Sequence, residues 1–314
     1  MKRFHCLTAL ALALGTSMAF ANDIQYFTTV THTDWVEAGE GGLRGVGTGG
    51  ITLSGVSGTV SQAYLFWHGP TNSTDPTVNA LVNFNGTNIT GTNIGFSSDN
   101  FWNFQNSQAY RANVTGLVSG NGTYSLSNFL KGTSADINGA SLIVFYDDGN
   151  SANDRDVVLF DGNDSNKPNT YDADGWNVSL PGIQYSGGNA SVTMTVSDGQ
   201  TWIDDALRIN GSAVAGPGAV FDGDSTPRGS GGVSNGSLWD VKTFDATSFL
   251  VPGSNTLTVS TGVNQDYLSL VVAAIDLPAG DAPPPPPIPE PANVALMLAG
   301  LGVVGAAARR RRGA

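Results

Sequence analysis

Cysteine is nearly missing from this chain: 314 residues contain one, Cys6. It lies in a leader-like stretch expected to be removed, so the mature chain would carry no thiol. Disulfides, thiolate metal centres and cysteine nucleophiles drop out together. Stability then has to come from packing, and a body of roughly 250 residues can bury a core large enough to supply it. Histidine is almost as scarce. Beyond the leader only His32 and His68 remain, far apart in sequence. No H-E-x-x-H helix and no P-loop occurs. Charged residues make up 13% of the chain, and basic ones are outnumbered 14 to 26 by acids. Six of the 14 sit at the extreme ends: Lys2, Arg3 and Arg309 to Arg312. A phosphate backbone is bound by Lys and Arg, so nucleic acid is excluded as a partner. Cations or neutral polymers suit this surface better. We expect no catalytic residues and no enzyme activity.

The chain is rich in Gly (41 residues), with abundant Asn, Ser and Thr, a mixture poor in helix formers and suited to short strands joined by tight turns. The stretches Ala63–Trp67, Leu142–Tyr146, Val157–Phe160 and Leu268–Ile275 read as buried strands. Thr123–Leu126, Ser191–Val196 and Thr256–Ser260 read as half-buried ones. Asn85-Gly86 and Asn210-Gly211 signal hairpins. These elements recur in order. NALVNFNGTNITG, AYRANVTGLVSGNGTYSLS and GASLIVFYDD in the first half match DDALRINGSAVAG, WDVKTFDATSFLVPGSNTLTVS and YLSLVVAAIDL in the second. The expected fold is all-β, with two similar β-sandwich (jelly-roll-like) units over 45–178 and 179–280. A segment at 22–44 precedes them, with Glu37 and Glu40 on one N-terminal loop. FDATSFLVPGSNTLTVS resembles a turn-and-strand pattern of galactose-binding-like jelly-roll domains attached to some glycoside hydrolases. The wider first-half pattern resembles β domains of bacterial surface proteins. Neither resemblance supplies an active site.

Both ends address a membrane. Residues 1–21 have a basic start, an apolar run from Leu7 to Leu14 and small residues at Ala19 and Ala21, the pattern of a signal peptide. Such a leader implies the secretion translocon and signal peptidase as partners, with cleavage after Ala21. At the other end, residues 281–288 form a Pro-rich spacer containing Pro283 to Pro287, expected to be extended. Residues 292–308 are uncharged and apolar, about 26 Å as a helix and close to a thin bilayer core. Arg309, Arg310, Arg311 and Arg312 should hold the end in the cytoplasm as a topology anchor.

Pro289-Glu290-Pro291, this short transmembrane helix and the Arg cluster together resemble the PEP-CTERM sorting signal of Gram-negative bacteria, here over 289–314. The resemblance implies processing by an exosortase-like membrane protein. It also implies an inner-membrane tail-anchored intermediate, then a place at the cell surface or in the matrix, with exopolysaccharide and biofilm as the setting. The body is expected to be a non-catalytic structural or interaction module, with a carbohydrate-binding adhesin or lectin as the alternative and a polysaccharide hydrolase as the second.

Two constellations in the body have chemical potential. Asp147, Asp148, Asp154, Asp156, Asp161, Asp164, Asp172 and Asp174 crowd one region. Calcium takes six to eight oxygens, which Asp/Asn/Gly loops supply. Asp is also a favoured turn residue for local reasons, and that reading is the stronger. Phe101, Trp102 and Phe104 offer faces that could stack on sugar rings. Trp67, Trp176, Trp202 and Trp239 are expected at strand ends or turns, capping the core, with His68 at a strand end.

Overall fold

The structure is a computed structural model, and it describes residues 24–97, 104–168, 175–231 and 233–282. These residues fall within one compact unit that extends to Ala282. The first half runs β1 (Gln25–Glu40), β2 (Gly49–Leu53), β3 (Thr59–Thr71), β4 (Leu81–Phe84), β5 (Thr87–Thr90), β6 (Thr92–Ser97), β7 (Asn106–Asn113), β8 (Gly122–Ser127) and β9 (Gly139–Asp147). The second runs β10 (Arg155–Ser165), β11 (Trp176–Tyr185), β12 (Ser191–Ser197), β13 (Leu207–Ile209), β14 (Ser212–Ala215), β15 (Trp239–Asp245), β16 (Gly253–Thr261) and β17 (Ser269–Pro278). Helix among the described residues is confined to two single 3-10 turns, Thr115–Leu117 and Thr247–Phe249. The fold is all-β.

A nine-stranded sheet has the order β15-β12-β17-β10-β1-β9-β3-β7-β6. Two four-stranded sheets, β2-β8-β4-β5 and β11-β16-β13-β14, cover one part of it each. The covering strands alternate: in β11, Trp176, Val178 and Leu180 are buried while Asn177, Ser179 and Pro181 are exposed. That is the pattern of a sheet with one wet face. Strands β9 and β17 instead read as apolar runs, because both of their faces are covered.

Three cores result. One, between β3, β7, β9 and the first covering sheet, holds Trp67, Phe84, Tyr110 and Leu142. A second, between β10, β12, β17 and the other covering sheet, holds Trp176, Met194, Phe221 and Ile275. The third is the seam where the two sandwiches meet, made of Tyr64, Phe66, Ile143, Phe145, Val157, Leu159, Trp239 and Val272. Strand β1 serves all three. Its first part pairs with β10 and its last part with β9. Tyr26, with Ile24 just before the strand, packs with the second core, Val36 and Ala38 with the first, and Phe27, Val30 and Trp35 with the seam. The segment read as a loop around Glu37 and Glu40 is therefore a strand. It is extended because β9 and β10 satisfy its backbone, a requirement that its own polar composition does not announce.

The two halves repeat down to single hydrogen bonds. Sheet orders β7-β3-β9-β1 and β15-β12-β17-β10 correspond, as do β2-β8-β4-β5 and β11-β16-β13-β14. Each half closes a tight hairpin on Asn-Gly with both residues at positive φ: Asn85 (49°) and Gly86 (81°), Asn210 (47°) and Gly211 (79°). That geometry is a type I′ turn, which Asn-Gly adopts readily. The Thr115 hydroxyl accepts a bond from Ala63 N at 2.9 Å, and the Thr247 hydroxyl from Ala190 N at 3.0 Å. Asn113 Oδ1 and Asp245 Oδ1 accept from the backbone N–H of those threonines at 3.0 and 2.8 Å.

Candidate functional site

Along β12, alternation sends Val192, Met194 and Val196 into the second core. Ser191, Thr193 and Thr195 then point to the other face. On the neighbouring β15, Val241, Thr243 and Asp245 share that face, and β17 adds Asp276 opposite Ser191. The far wall comes from β1 through Trp35, Val36 and Glu37. The result is an open groove of two adjoining cavities, about 470 and 290 Å³, which share Ser191, Thr243 and Asp276.

The lining is polar and largely tied down. Thr193 and Thr243 hydroxyls meet at 2.8 Å across the strand pair. Arg155 Nε donates to Asp276 Oδ1 at 2.6 Å, and its Nη2 donates to the Asn189 carbonyl. Burial raises the Asp276 pKa, and the Arg155 bond opposes that shift. Asp245 sits exposed at the mouth, and its pKa is lowered by the side-chain and backbone bonds from Thr247, so it stays ionised. Glu37 is half-buried. Burial pushes it up to about 7 against the bonds from Thr195 and Ser141. Its Oε1 accepts from Thr195 Oγ1 at 2.5 Å, and its Oε2 is shielded from solvent.

A second polar group lies inside the junction of the two sandwiches. His68 Nδ1 is 2.6 Å from Ser197 Oγ, to which Asn138 Nδ2 also donates at 2.9 Å. Arg44 Nη2 reaches Asn138 Oδ1 at 2.6 Å and Asp198 Oδ1 at 3.0 Å. His68, Asn138 and Ser197 have no exposed surface. Burial, then the Arg44 charge, pushes His68 down to about 3, so it stays neutral. This group fastens first-half residues to second-half ones; only Arg44 and Asp198 at its rim keep a little exposed surface, and His68 itself is sealed from solvent.

Three carboxylates do gather: Asp222, Asp224 and Asp240 place oxygens within 4.8 Å of one another. Lys242 Nζ stands among them, 2.7 Å from Asp222, 3.5 Å from Asp224 and 3.9 Å from Asp240. The ammonium is their counter-ion. Three such ligands fall short of the six to eight oxygens that calcium takes.

Residues 287–312 match the PEP-CTERM protein-sorting motif. The chain thus carries a PEP-CTERM sorting motif, and the motif implies export, exosortase processing at the membrane and display at the cell surface. No curated protein matches the chain. Among solved structures it is similar to an N-glycanase F (PNGase F) at 11% identity and TM-score 0.23, covering 82% of this chain and 98% of that one. It is also similar to BuGH86 in complex with neoagarooctaose at 13% identity and TM-score 0.20, covering 81% of this chain and 34% of that one. Likeness at that level leaves the chemistry of the groove to its own residues.

The PEP-CTERM residues Pro289, Glu290 and Pro291, the span 292–308 and Arg309 to Arg312 lie outside the described residues, as do Ala19, Ala21, Phe101, Trp102, Asp172 and Asp174. Among the described residues no helix is long and apolar enough to cross a membrane. The other acids proposed for calcium are spread through the fold. Asp147 and Asp148 cap the turn after β9 through Gly149 N and Asn150 N. Asp154 lies at the end of that same turn, before β10. Asp156, buried, accepts from His32 N at 3.0 Å and Gly280 N at 2.7 Å. Asp161 pairs with Arg111, and Asp164 accepts from Asn177 N at 3.3 Å. Phe104 is buried.

Of the tryptophans, Trp67, Trp176 and Trp239 are fully buried, and Trp202 is 46% exposed. His68 is not at a strand end but within β3, inside the junction. The groove itself escaped sequence reading, since Ser and Thr in a strand look like ordinary β-formers. A literal G-x-S-x-G string, Gly232 to Gly236, also escaped it. Ser234 lies in a turn closed by the Val233–Gly236 bridge with no helix after it, so it is not a nucleophile elbow.

Proposed function

We propose that this protein is a non-catalytic module that holds extracellular polysaccharide at the surface of a Gram-negative cell. The apolar span at 292–308 would keep an inner-membrane intermediate in place until exosortase acts. The observation that carries the reading is the open groove on the outer face of β12 and β15. Hydroxyl-rich polymers are bound by planar hydrogen-bonding groups beside aromatic rings, and such sites place a few polar groups in a shaped concavity. Trp35, Arg155, Asn189, Thr243 and Asp276 give this groove an indole, a guanidinium, an amide, a hydroxyl and a carboxylate.

One observation favours a hydrolase as the second reading: Glu37, poised near 7, lines the same groove as Asp276. Glycoside hydrolysis needs one carboxyl as acid and another as base or nucleophile. Here Asp276 is held by Arg155, and Glu37 faces Thr195 with its second oxygen shielded. No release of reducing ends is expected during prolonged incubation with polysaccharide; steady release that stops in Glu37→Gln would establish the hydrolase instead.

Binding is tested by co-sedimentation of the full-length protein with extracellular polysaccharide purified from the producing cells. Retention should fall roughly tenfold, about 1.4 kcal/mol, when Ser191→Tyr fills the groove. Failure of the unaltered protein to sediment, or full retention by the variant, would reject the groove as the binding site.

A further inference from the structure

We infer that the groove selects polysaccharides with free amino groups, such as runs of hexosamine lacking the N-acetyl cap, over neutral and anionic ones. The inference rests on the polysaccharide reading above and adds the charge of the ligand.

The groove has one basic side chain, Arg155, and Asp276 already neutralises it at 2.6 Å. Asp245 at the mouth has no ion pair among the described residues, and its bonds come from Thr247, whose backbone N–H lies at 2.8 Å. Glu37 adds a further carboxyl on the β1 wall. A uronate or sulfated polymer would therefore meet net negative charge with no cation free to receive it. An ammonium would meet a fixed carboxylate.

The internal repeat shows that this charge is not a folding requirement. Asn113 is the first-half equivalent of Asp245. It makes the same turn, with the Thr115 backbone N–H at 3.0 Å where Asp245 has the Thr247 N–H at 2.8 Å. A neutral amide thus does the local work equally well in the same chain. Register also equates Ile143, buried in the seam, with Asp276. Both carboxylates are present in the half whose face is open and absent from the half whose face is covered.

The test is calorimetric titration of the full-length protein in detergent with three oligomers of equal length: glucosamine, N-acetylglucosamine and galacturonate. The glucosamine oligomer should bind about fivefold more tightly than its acetylated counterpart, the upper range for one exposed ion pair. The preference should vanish at high salt, which screens exposed charges. It should vanish also in Asp245→Asn, a change that keeps the turn by the precedent of Asn113. Equal affinity for the glucosamine and acetylated oligomers, or tighter binding of galacturonate, would overturn the charge selection while leaving polysaccharide binding intact. Binding of none of the three, with no retention on native polysaccharide either, would overturn the underlying reading as well.

Discussion

The two halves of this protein share strand order, hairpin turns and threonine latches, yet their outward sheet faces differ in kind. Register pairs the positions. Tyr64, Phe66, Arg111 and Ile143 of the first half correspond to Ser191, Thr193, Thr243 and Asp276 of the second. Tyr64, Phe66 and Ile143 are packed in the seam. The second set lines an open groove. A repeated sandwich that must dock on its twin needs one bulky face. Small polar residues at the same register keep the corresponding patch on the other unit from closing. The groove thus occupies, in the second half, the register positions that the first half fills with docking residues.

The comparison is broken most severely by moving a residue from one set to the other. Phe66→Thr puts a second-half residue into the first-half seam, where Phe66 is fully buried. A cavity and a buried hydroxyl together should cost about 3–5 kcal/mol, measured as a lower midpoint in denaturant. A loss below about 1 kcal/mol would mean the seam collapses freely, and its packing would then not distinguish the halves.

Next in size is Glu37. Register sets it against Val157, a seam residue of the second half, so a carboxyl occupies a place where its twin is apolar. Its folded pKa, raised from 4.5 to about 7, lies above the unfolded one. The folded state therefore holds the proton more tightly, and stability is lost as pH rises from about 4.5 to 7. Glu37→Gln should match the parent near pH 4 and exceed it near pH 8 by up to about 3 kcal/mol. Asp266, pushed up to about 9 by burial and then by Asp198 and Asp204, acts in the same direction and should keep the variant's own stability falling above neutral pH. Equal pH dependence in parent and Gln variant would remove Glu37 from the explanation.

These residues also mark what can be read in the sequence. The apolar runs within β3, β9, β10 and β17 were legible, because a strand covered on both faces leaves a continuous signature. The Asn85-Gly86 and Asn210-Gly211 hairpins were legible, since a type I′ turn selects those residues. So was the repeat of elements in order. Strand β1 was not, because DWVEAGE has no alternation of its own and gains its partner from β9, while the first part of the strand gains its partner from β10, each a hundred or more residues away. The groove was hidden for the same reason: Trp35, Arg155, Ser191, Thr243 and Asp276 come from five strands, and only their register brings them together. The Asp-rich loops were conspicuous, yet Asp147 and Asp148 act there as turn caps.

A smaller effect sharpens the symmetry. Thr115→Ala and Thr247→Ala each remove one hydroxyl that accepts from a backbone N–H, of Ala63 and of Ala190. Each should cost about 1 kcal/mol, and the two costs should agree. A large inequality in thermal unfolding would show that the repeat is geometric only and that the halves differ in how they are held.

The smallest expected change in stability belongs to Ser191→Tyr, which restores in the second half the residue that Tyr64 supplies in the first. Ser191 is half-buried on a face that opens to solvent, so the added ring has room in the groove and needs no repacking of a core. The stability change should stay within about 0.5 kcal/mol, as for substitutions away from packed features. Loss of polysaccharide retention at unchanged stability would separate the groove from the scaffold. A destabilisation as large as that of Phe66→Thr would show that the two faces are packed alike, and the contrast between the halves would then be lost.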